Sequence, residues 1–238
     1  MQRIISYFGN LYLDAFQLHV KEIKEKGFNV ILLCITETDL LYNLETFHEF
    51  RVYAESEQIE CWCTFWGLTA GEAVCKDGNI ETWLSAVNYI GFKDVFIDEP
   101  KTINDILLFT KHNDRFNFHL CLTDDSFNKM SDLLIAGMQV NSIGVSCYHW
   151  VKDWMKITMR TERIAKRLER LRPGDNFLFI QGFDIPEGWE LIPLIVKEIA
   201  EISGIVNFGF WSFRCTAATA SKRPLNHKHI WDTIKFHA

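Results

Sequence analysis

Hydrophobic and polar positions divide this chain into two kinds of segment: short continuous apolar runs and longer amphipathic stretches. The apolar runs span five to eight residues and are rich in Val, Ile, Phe and Cys. Continuous runs of this length are typical of strands that are buried on both faces. We predict eight such strands, namely Arg3–Gly9, Asn29–Ile35, Glu60–Trp66, Asp94–Asp98, Asn117–Thr123, Ser142–Tyr148, Phe177–Gly182 and Val206–Phe213.

The segments between and after these runs have the apolar spacing of amphipathic helices. Glycine follows several of them, for example Gly27 and Gly91, and glycine favours the end of a helix. The predicted helices are Leu13–Lys26, Leu44–Gln58, Ile80–Ile90, Ile103–His112, Phe127–Met138, Arg160–Leu171, Trp189–Ile202 and Pro224–Phe236.

Eight strands that alternate with eight helices predict a (β/α)8 TIM barrel. The predicted strands start roughly every 29 residues, which suits a compact barrel. An open doubly wound sheet is the alternative, but the chain has neither G-x-G-x-x-G nor a P-loop motif. Because no linker or shift in composition divides the chain, we predict one domain over residues 1–238.

Composition narrows the class of protein. Hydrophobic residues make up 48% of the 238 residues, enough for a folded core, so intrinsic disorder is excluded. The net charge of −6 argues against a nucleic-acid partner. The N-terminal segment does not resemble a secretory signal, and no apolar stretch is long enough to span a membrane. We therefore expect a cytoplasmic protein without a membrane partner, and leave its oligomeric state open.

The seven cysteines are scattered and lie mostly inside apolar runs. This pattern indicates reduced core thiols, as in cytoplasmic proteins, instead of a disulfide framework. Cys61 and Cys63 form a C-x-C pair, but no second pair of Cys or His stands at the spacing of a zinc site. We expect no metal and no cofactor.

In a TIM barrel, functional side chains follow the C-terminal ends of the strands. Here four strand ends carry carboxylates and three carry tryptophan. This combination is typical of carbohydrate sites, because tryptophan rings cover the apolar faces of sugars and carboxylates act at the anomeric centre. We predict a small carbohydrate substrate, contacted by Tyr7, Glu37, Trp66, Asp124, Tyr148, Gln181, Trp211 and Arg214.

The strongest single feature is an apolar strand that runs directly into Asp98-Glu99-Pro100. Successive strand residues alternate faces, so we expect one acid to face the barrel axis and the other the rim. Two like charges so close raise one pKa, which suits a general acid. We predict that Asp98 and Glu99 are catalytic. The alternative is that they begin the next helix, since Asp, Glu and Pro are all common in a first turn.

The Asp98-Glu99-Pro100 motif resembles the Asp-Glu pair of substrate-assisted hexosaminidases and related glycoside hydrolase-like barrels. The resemblance implies hydrolysis of an N-acetylated sugar, with Glu99 as general acid and Asp98 orienting the 2-acetamido group that acts as nucleophile. It also implies that Tyr148 and Trp211 complete the sugar pocket. The chain departs from these families in lacking an accessory domain and the chitinase-type D-x-x-D-x-D-x-E run. The motif also occurs in cobalamin-independent methionine synthases.

A glycosidase with its own nucleophile or base needs a second carboxylate, roughly 5 Å or 6.5–9.5 Å from the acid. The seventh strand offers Gln181 at that place, so the remaining candidates are Asp184, Glu187, Glu37 and Asp124. Substrate assistance would remove the need for any of them.

Two other functions stay open at this point. Arg214 can clamp an anion, as late loops of barrels often do, in a non-hydrolytic barrel for a phosphorylated or carboxylated small molecule. A catalytically silent sugar-binding barrel would keep the tryptophan platforms without a poised acid. We interpret His119, in the middle of the fifth predicted strand, as a core histidine.

Overall fold

The computed structural model describes residues 1–8, 15–35, 39, 42–65, 79–147, 153–181 and 191–211. Its eight strands are β1 (Arg3–Phe8), β2 (Val30–Ile35), β3 (Glu60–Phe65), β4 (Asp94–Asp98), β5 (Asn117–Thr123), β6 (Ser142–Cys147), β7 (Asn176–Gln181) and β8 (Phe208–Trp211). All neighbouring strands are parallel and pair in chain order, and β8 pairs with β1 to close the barrel. The predicted (β/α)8 TIM barrel is confirmed.

The helices of the described residues are α1 (Phe16–Glu25), α2 (Leu44–Ser56), α3 (Asn79–Ile90), α4 (Ile103–Thr110), α5 (Asp124–Lys129), α6 (Asp132–Gly137), α7 (Trp154–Leu171) and α8 (Ile192–Ile202). They alternate with the strands, except that two short helices follow β5. The predicted last helix, Pro224–Phe236, lies outside the described residues.

Two predicted helices differ from the structure because of capping. The predicted helix Phe127–Met138 is wrong as one element: Ser131 has extended backbone and its side chain accepts a hydrogen bond from the Leu134 amide, which starts a new helix. Helix α7 begins at Trp154, earlier than the predicted Arg160, because Asp153 caps it by accepting from the Lys156 amide.

The core has two layers, one between the strands and the helices and one inside the barrel. The inner layer consists of Ile4, Val30, Leu32, Cys34, Trp62, Phe96, Cys121, Phe177 and Phe179. Glycines make room for its rings: a Cβ at Gly144 would lie 2.0 Å from the Phe177 ring, and one at Gly209 would lie 2.3 Å from the Phe179 ring. Large side chains opposite glycine therefore fill the barrel as a packed core.

Asparagine side chains satisfy backbone amides at the N-terminal ends of the strands. The Oδ1 atoms of Asn29 and Asn207 accept from the amides of Arg3 and Gln2, each at 2.7 Å. Such contacts replace ladder partners that these backbone groups lack.

Within the described residues, no helix combines the length and apolar character needed to cross a bilayer.

Candidate functional site

The C-terminal half of the barrel interior is lined by small polar side chains. We call this region the upper lumen and define it by Ser6, Cys34, Thr64, Asp98, Cys121 and Ser146, all of them buried. Strand alternation places them on the same face as the aromatic residues of the inner layer. Within the described part of the chain, the hydroxyl oxygens of Ser6 and Thr64 have no hydrogen-bond partner. Buried hydroxyls normally have one, so these two oxygens are exceptions to that rule.

Asp98 is the last residue of β4 and is only 6% exposed. Burial raises the pKa of this carboxyl well above its usual range, and the charge of Glu99 raises it further. A carboxyl group that is removed from water favours its neutral form, because the charged form loses hydration. Asp98 therefore keeps its proton to a higher pH than an exposed carboxyl group does.

Glu99 has a backbone φ of +44°, in the left-handed region. This conformation costs about 1–2 kcal/mol for a residue with a Cβ, and the residue before a proline is normally extended. Tertiary hydrogen bonds hold it: the Glu99 amide donates to the Cys121 carbonyl at 2.8 Å, and the Glu99 carboxylate accepts from Ser146. The strained turn thus directs the Glu99 carboxylate to the upper lumen.

Both carboxyl groups therefore border the upper lumen, Asp98 buried and Glu99 partly exposed. That one acid faces the barrel axis and the other the rim stays a prediction. The alternative that they open the next helix is wrong, because α4 begins at Ile103. Its N-cap is Thr102, which forms a capping box with Asp105.

The environments of the two acids differ. Burial raises the pKa of Glu99, whereas the hydrogen bond from Ser146 lowers it. Among the described residues, burial and the charge of Glu99 are the influences resolved at Asp98, and both raise its pKa. The pair titrates as a coupled unit. The hydrogen bond from Ser146 favours the ionised form of Glu99, whereas burial favours the neutral form of Asp98.

Two thiols flank the pair. Burial raises the pKa of Cys34 and of Cys121 well above the ordinary value, and the charge of Asp98 raises both further. The Cys121 sulfur lies 3.2 Å from the Ser146 hydroxyl. Both thiols therefore remain neutral and act as polar walls of the upper lumen instead of nucleophiles.

Two predicted substrate contacts lie elsewhere. The Tyr7 hydroxyl is 2.7 Å from the His19 Nδ1 and its ring packs on Phe50, which places Tyr7 in the outer core. Asp124 begins α5 and forms an ion pair with Arg160 of α7. Tyr7 therefore faces the helices and Asp124 joins two of them, so these contacts give no support to a substrate contact by either residue, which stays a prediction.

Several predicted site residues lie outside the described residues, namely Glu37, Trp66, Tyr148, Asp184, Glu187 and Arg214. Of Gln181 and Trp211, the structure describes the backbone only. These two residues are paired across β7 and β8 at the C-terminal end of the barrel. Their roles stay predictions.

Sequence reasoning missed the other residues of the upper lumen. It chose residues near or just beyond the predicted strand ends and passed over Ser6, Cys34 and Ser146, which stand within β1, β2 and β6. The signal was a small polar side chain near the C-terminal end of several strands. As far as the chain is described, no group of three or more His, Cys, Asp or Glu is arranged to hold a metal ion.

No protein-family model and no curated protein matches the chain. Solved structures share its fold. One is a D-psicose 3-epimerase crystallised in the presence of D-fructose, with 14% identity over 98% of this chain and 95% of that chain and a TM-score of 0.55. A 3-dehydroquinate dehydratase from Geobacillus kaustophilus HTA426 has 11% identity over 98% and 90%, with a TM-score of 0.60.

The YdjI aldolase from Escherichia coli K12 has 11% identity over 87% of this chain and 74% of that chain, with a TM-score of 0.52. At such low identities these similarities show the TIM-barrel fold and no particular activity. None of the three is a glycoside hydrolase, so they give the resemblance to hexosaminidases no support.

Proposed function

We propose that this barrel is an enzyme that transfers protons on a small carbohydrate-class substrate, with Glu99 as general base and Asp98 as general acid. The observation that carries the proposal is a pair of carboxyl groups that border the upper lumen in different environments. Asp98 is buried with a raised pKa, and Glu99 is held by Ser146. Titratable groups whose environments separate their pKa values are the usual mark of an acid and a base in one site.

The reaction that this pair fits is proton removal next to a carbonyl group. Glu99 accepts the proton from carbon, and neutral Asp98 donates a hydrogen bond to the carbonyl oxygen as negative charge develops there. Return of the proton to another position or face gives an isomer or epimer, and loss of a neighbouring hydroxyl gives a dehydration product. The epimerase and the dehydratase with this fold carry such reactions in their names.

The hydroxyls of Ser6 and Thr64 support a hydroxylated substrate. Both are buried in the upper lumen, with no hydrogen-bond partner among the described residues. A substrate with several hydroxyl groups would satisfy them, whereas a purely apolar molecule would leave them unsatisfied.

Hydrolysis of a glycoside is the second candidate, because burial also raises the pKa of Glu99. Glu99 would then protonate the glycosidic oxygen, as the resemblance to hexosaminidases implies. Substrate assistance would further require Asp98 to stabilise positive charge, and this role suits an ionised group. The raised pKa of Asp98 is the reason that we rank this function second.

Hydrogen exchange distinguishes the two functions. A panel of neutral and phosphorylated aldoses and ketoses is incubated with the protein in D2O, and loss of the C–H signal next to the carbonyl is followed by 1H NMR. Parallel wells contain aryl glycosides with and without an N-acetyl group. We expect exchange with at least one sugar, slowed by a factor of about 10²–10⁴ in Glu99→Gln.

The matched control is Glu198→Gln, since Glu198 is exposed on α8 and should exchange at the wild-type rate. Hydrolysis of the glycosides without any exchange would overturn the first function in favour of the second. Neither exchange nor hydrolysis across the panel would contradict both.

A further inference from the structure

A second cluster of reactive side chains lies near the opposite, N-terminal end of the barrel. Asp94 and Ser142 are the first residues of β4 and β6, and His119 stands on β5 between them. His119 pairs directly with Ser142 in the strand register. In the chain, His119 is 25 residues from Asp94 and 23 residues from Ser142, and the pairing of β5 with β4 and with β6 brings the three side chains together.

Their connectivity is that of a nucleophile, a base and an orienting acid. The His119 Nδ1 lies 2.7 Å from the Ser142 Oγ, and the His119 Nε2 lies 3.0 Å from the Asp94 Oδ1. Because a carboxylate accepts only from a protonated ring nitrogen, Asp94 fixes the hydrogen on Nε2. Nδ1 then carries no hydrogen and accepts a hydrogen bond from the Ser142 hydroxyl, as a general base must.

Further contacts hold this arrangement in place. The Trp62 ring stacks on the imidazole of His119 with 3.7 Å between centroids and an interplanar angle of 10°. The Asn117 side chain donates to the same Asp94 oxygen at 3.0 Å. Reactive groups are effective when neighbours fix their orientation, and both the base and its carboxylate are fixed here.

Ser142 is buried, with 7% of its surface exposed, and the residue before it, Asn141, is exposed at the N-terminal end of the barrel. Two carboxylates, Glu60 and Asp94, stand at the starts of neighbouring strands at this end, so anionic reagents are disfavoured.

We propose that Ser142, His119 and Asp94 form a nucleophilic site at the N-terminal end of the barrel, which is acylated by small uncharged esters. The arrangement is recognised by geometry and roles, which do not depend on chain order or fold. This site is separate from the upper lumen and does not rest on the function proposed there.

The chemistry is as follows. The Ser142 Oγ forms a bond to the ester carbonyl carbon while its proton moves to the His119 Nδ1. The bond from that carbon to the leaving oxygen breaks, and the leaving alcohol takes the proton from Nδ1. Water then forms a bond to the acyl carbon while giving a proton to Nδ1. The bond from that carbon to the Ser142 Oγ breaks, the carboxylic acid leaves, and the proton on Nδ1 returns to Oγ to restore the hydroxyl. Asp94 stabilises the imidazolium at each stage.

Covalent labelling tests the site. The protein is treated with an uncharged alkyl fluorophosphonate, and the mass added and its position are read by mass spectrometry of the intact chain and its peptides. We expect one label per chain, located on Ser142 and absent in Ser142→Ala. Ser85→Ala is the control, since Ser85 is exposed on α3 and only donates to the Glu81 carbonyl.

Asp94→Asn supplies a second variant, because it keeps the side-chain shape while removing the charge that fixes the imidazole. We expect its labelling rate to fall by about 10²-fold or more, with circular dichroism showing that it is folded. Label on other residues, no label on Ser142, or an unchanged rate in Asp94→Asn would overturn the proposal. The cluster would then have only a structural role, as packing at the N-terminal end of the barrel. Glu99→Gln should label at the wild-type rate, so this test stays independent of the upper lumen.

Discussion

Replacing Asp98 by Asn should stabilise the folded protein, and increasingly so as the pH rises. Asp98 is buried at the end of β4, and burial together with Glu99 raises its pKa well above the ordinary value. In the unfolded chain, an Asp side chain has a pKa of about 3.9. Between the unfolded and folded pKa values the folded state binds more protons. Stability therefore decreases as the pH rises through that interval. Asn has no proton to lose and escapes this penalty.

The size of the effect has an upper limit that follows from the unfolded pKa. Each pH unit between the two pKa values corresponds to about 1.4 kcal/mol of unfolding free energy. If Asp98 stays protonated at pH 7, its presence costs up to about 4 kcal/mol relative to a neutral residue of the same shape. We expect Asp98→Asn to gain about 1–4 kcal/mol at pH 7 and close to nothing near pH 4, because its amide needs its own partners.

Urea unfolding followed by circular dichroism, near pH 4, 5.5, 7 and 8.5, measures this difference as a shift of the midpoint at constant slope. The control is Asp114→Asn, which makes the same chemical change at an exposed position after α4. The unfolding free energy of Asp114→Asn should stay within about 0.5 kcal/mol of the wild-type value. Curves of wild type and Asp98→Asn that run parallel over the whole pH range would refute the reasoning.

Two further predictions concern neighbouring features of the barrel. Ser146→Ala removes the hydrogen bond that lowers the pKa of Glu99, so the pKa of Glu99 should rise. A 13C NMR titration of labelled carboxyl groups measures this pKa, and an unchanged value would contradict the contact. Gly144→Ala places a Cβ 2.0 Å from the Phe177 ring and should lower the unfolding free energy by about 1–3 kcal/mol or more, whereas Gly137→Ala, with nothing within 4 Å, should not. Equal thermal stability of these two variants would argue against a packed barrel interior.

The sequence by itself determined the strands and their order. Barrel strands are buried on both faces, so they appear as continuous apolar runs, and each of the eight runs overlaps a strand of the structure. Local hydrogen bonding was harder to predict. The apolar spacing continues through Ser131, where a side-chain cap divides one predicted helix into two.

Only the tertiary structure decided which face of each strand points into the barrel. Because both faces are apolar, the alternation along β1 did not show that Ser6 lines the interior while Tyr7 packs against His19. The sequence placed Asp98 and Glu99 at a strand end, but the positive φ that turns Glu99 to the upper lumen depends on Cys121 and Ser146.

The cluster at the other end shows the same limit. Within the sequence, His119 had the pattern of a core histidine, and no local motif joins it to Asp94 or Ser142. The pairing and register of β4, β5 and β6 place the three side chains within hydrogen-bond distance. Periodicity reports which residues are buried, whereas contact between residues on different strands follows from how the strands pair.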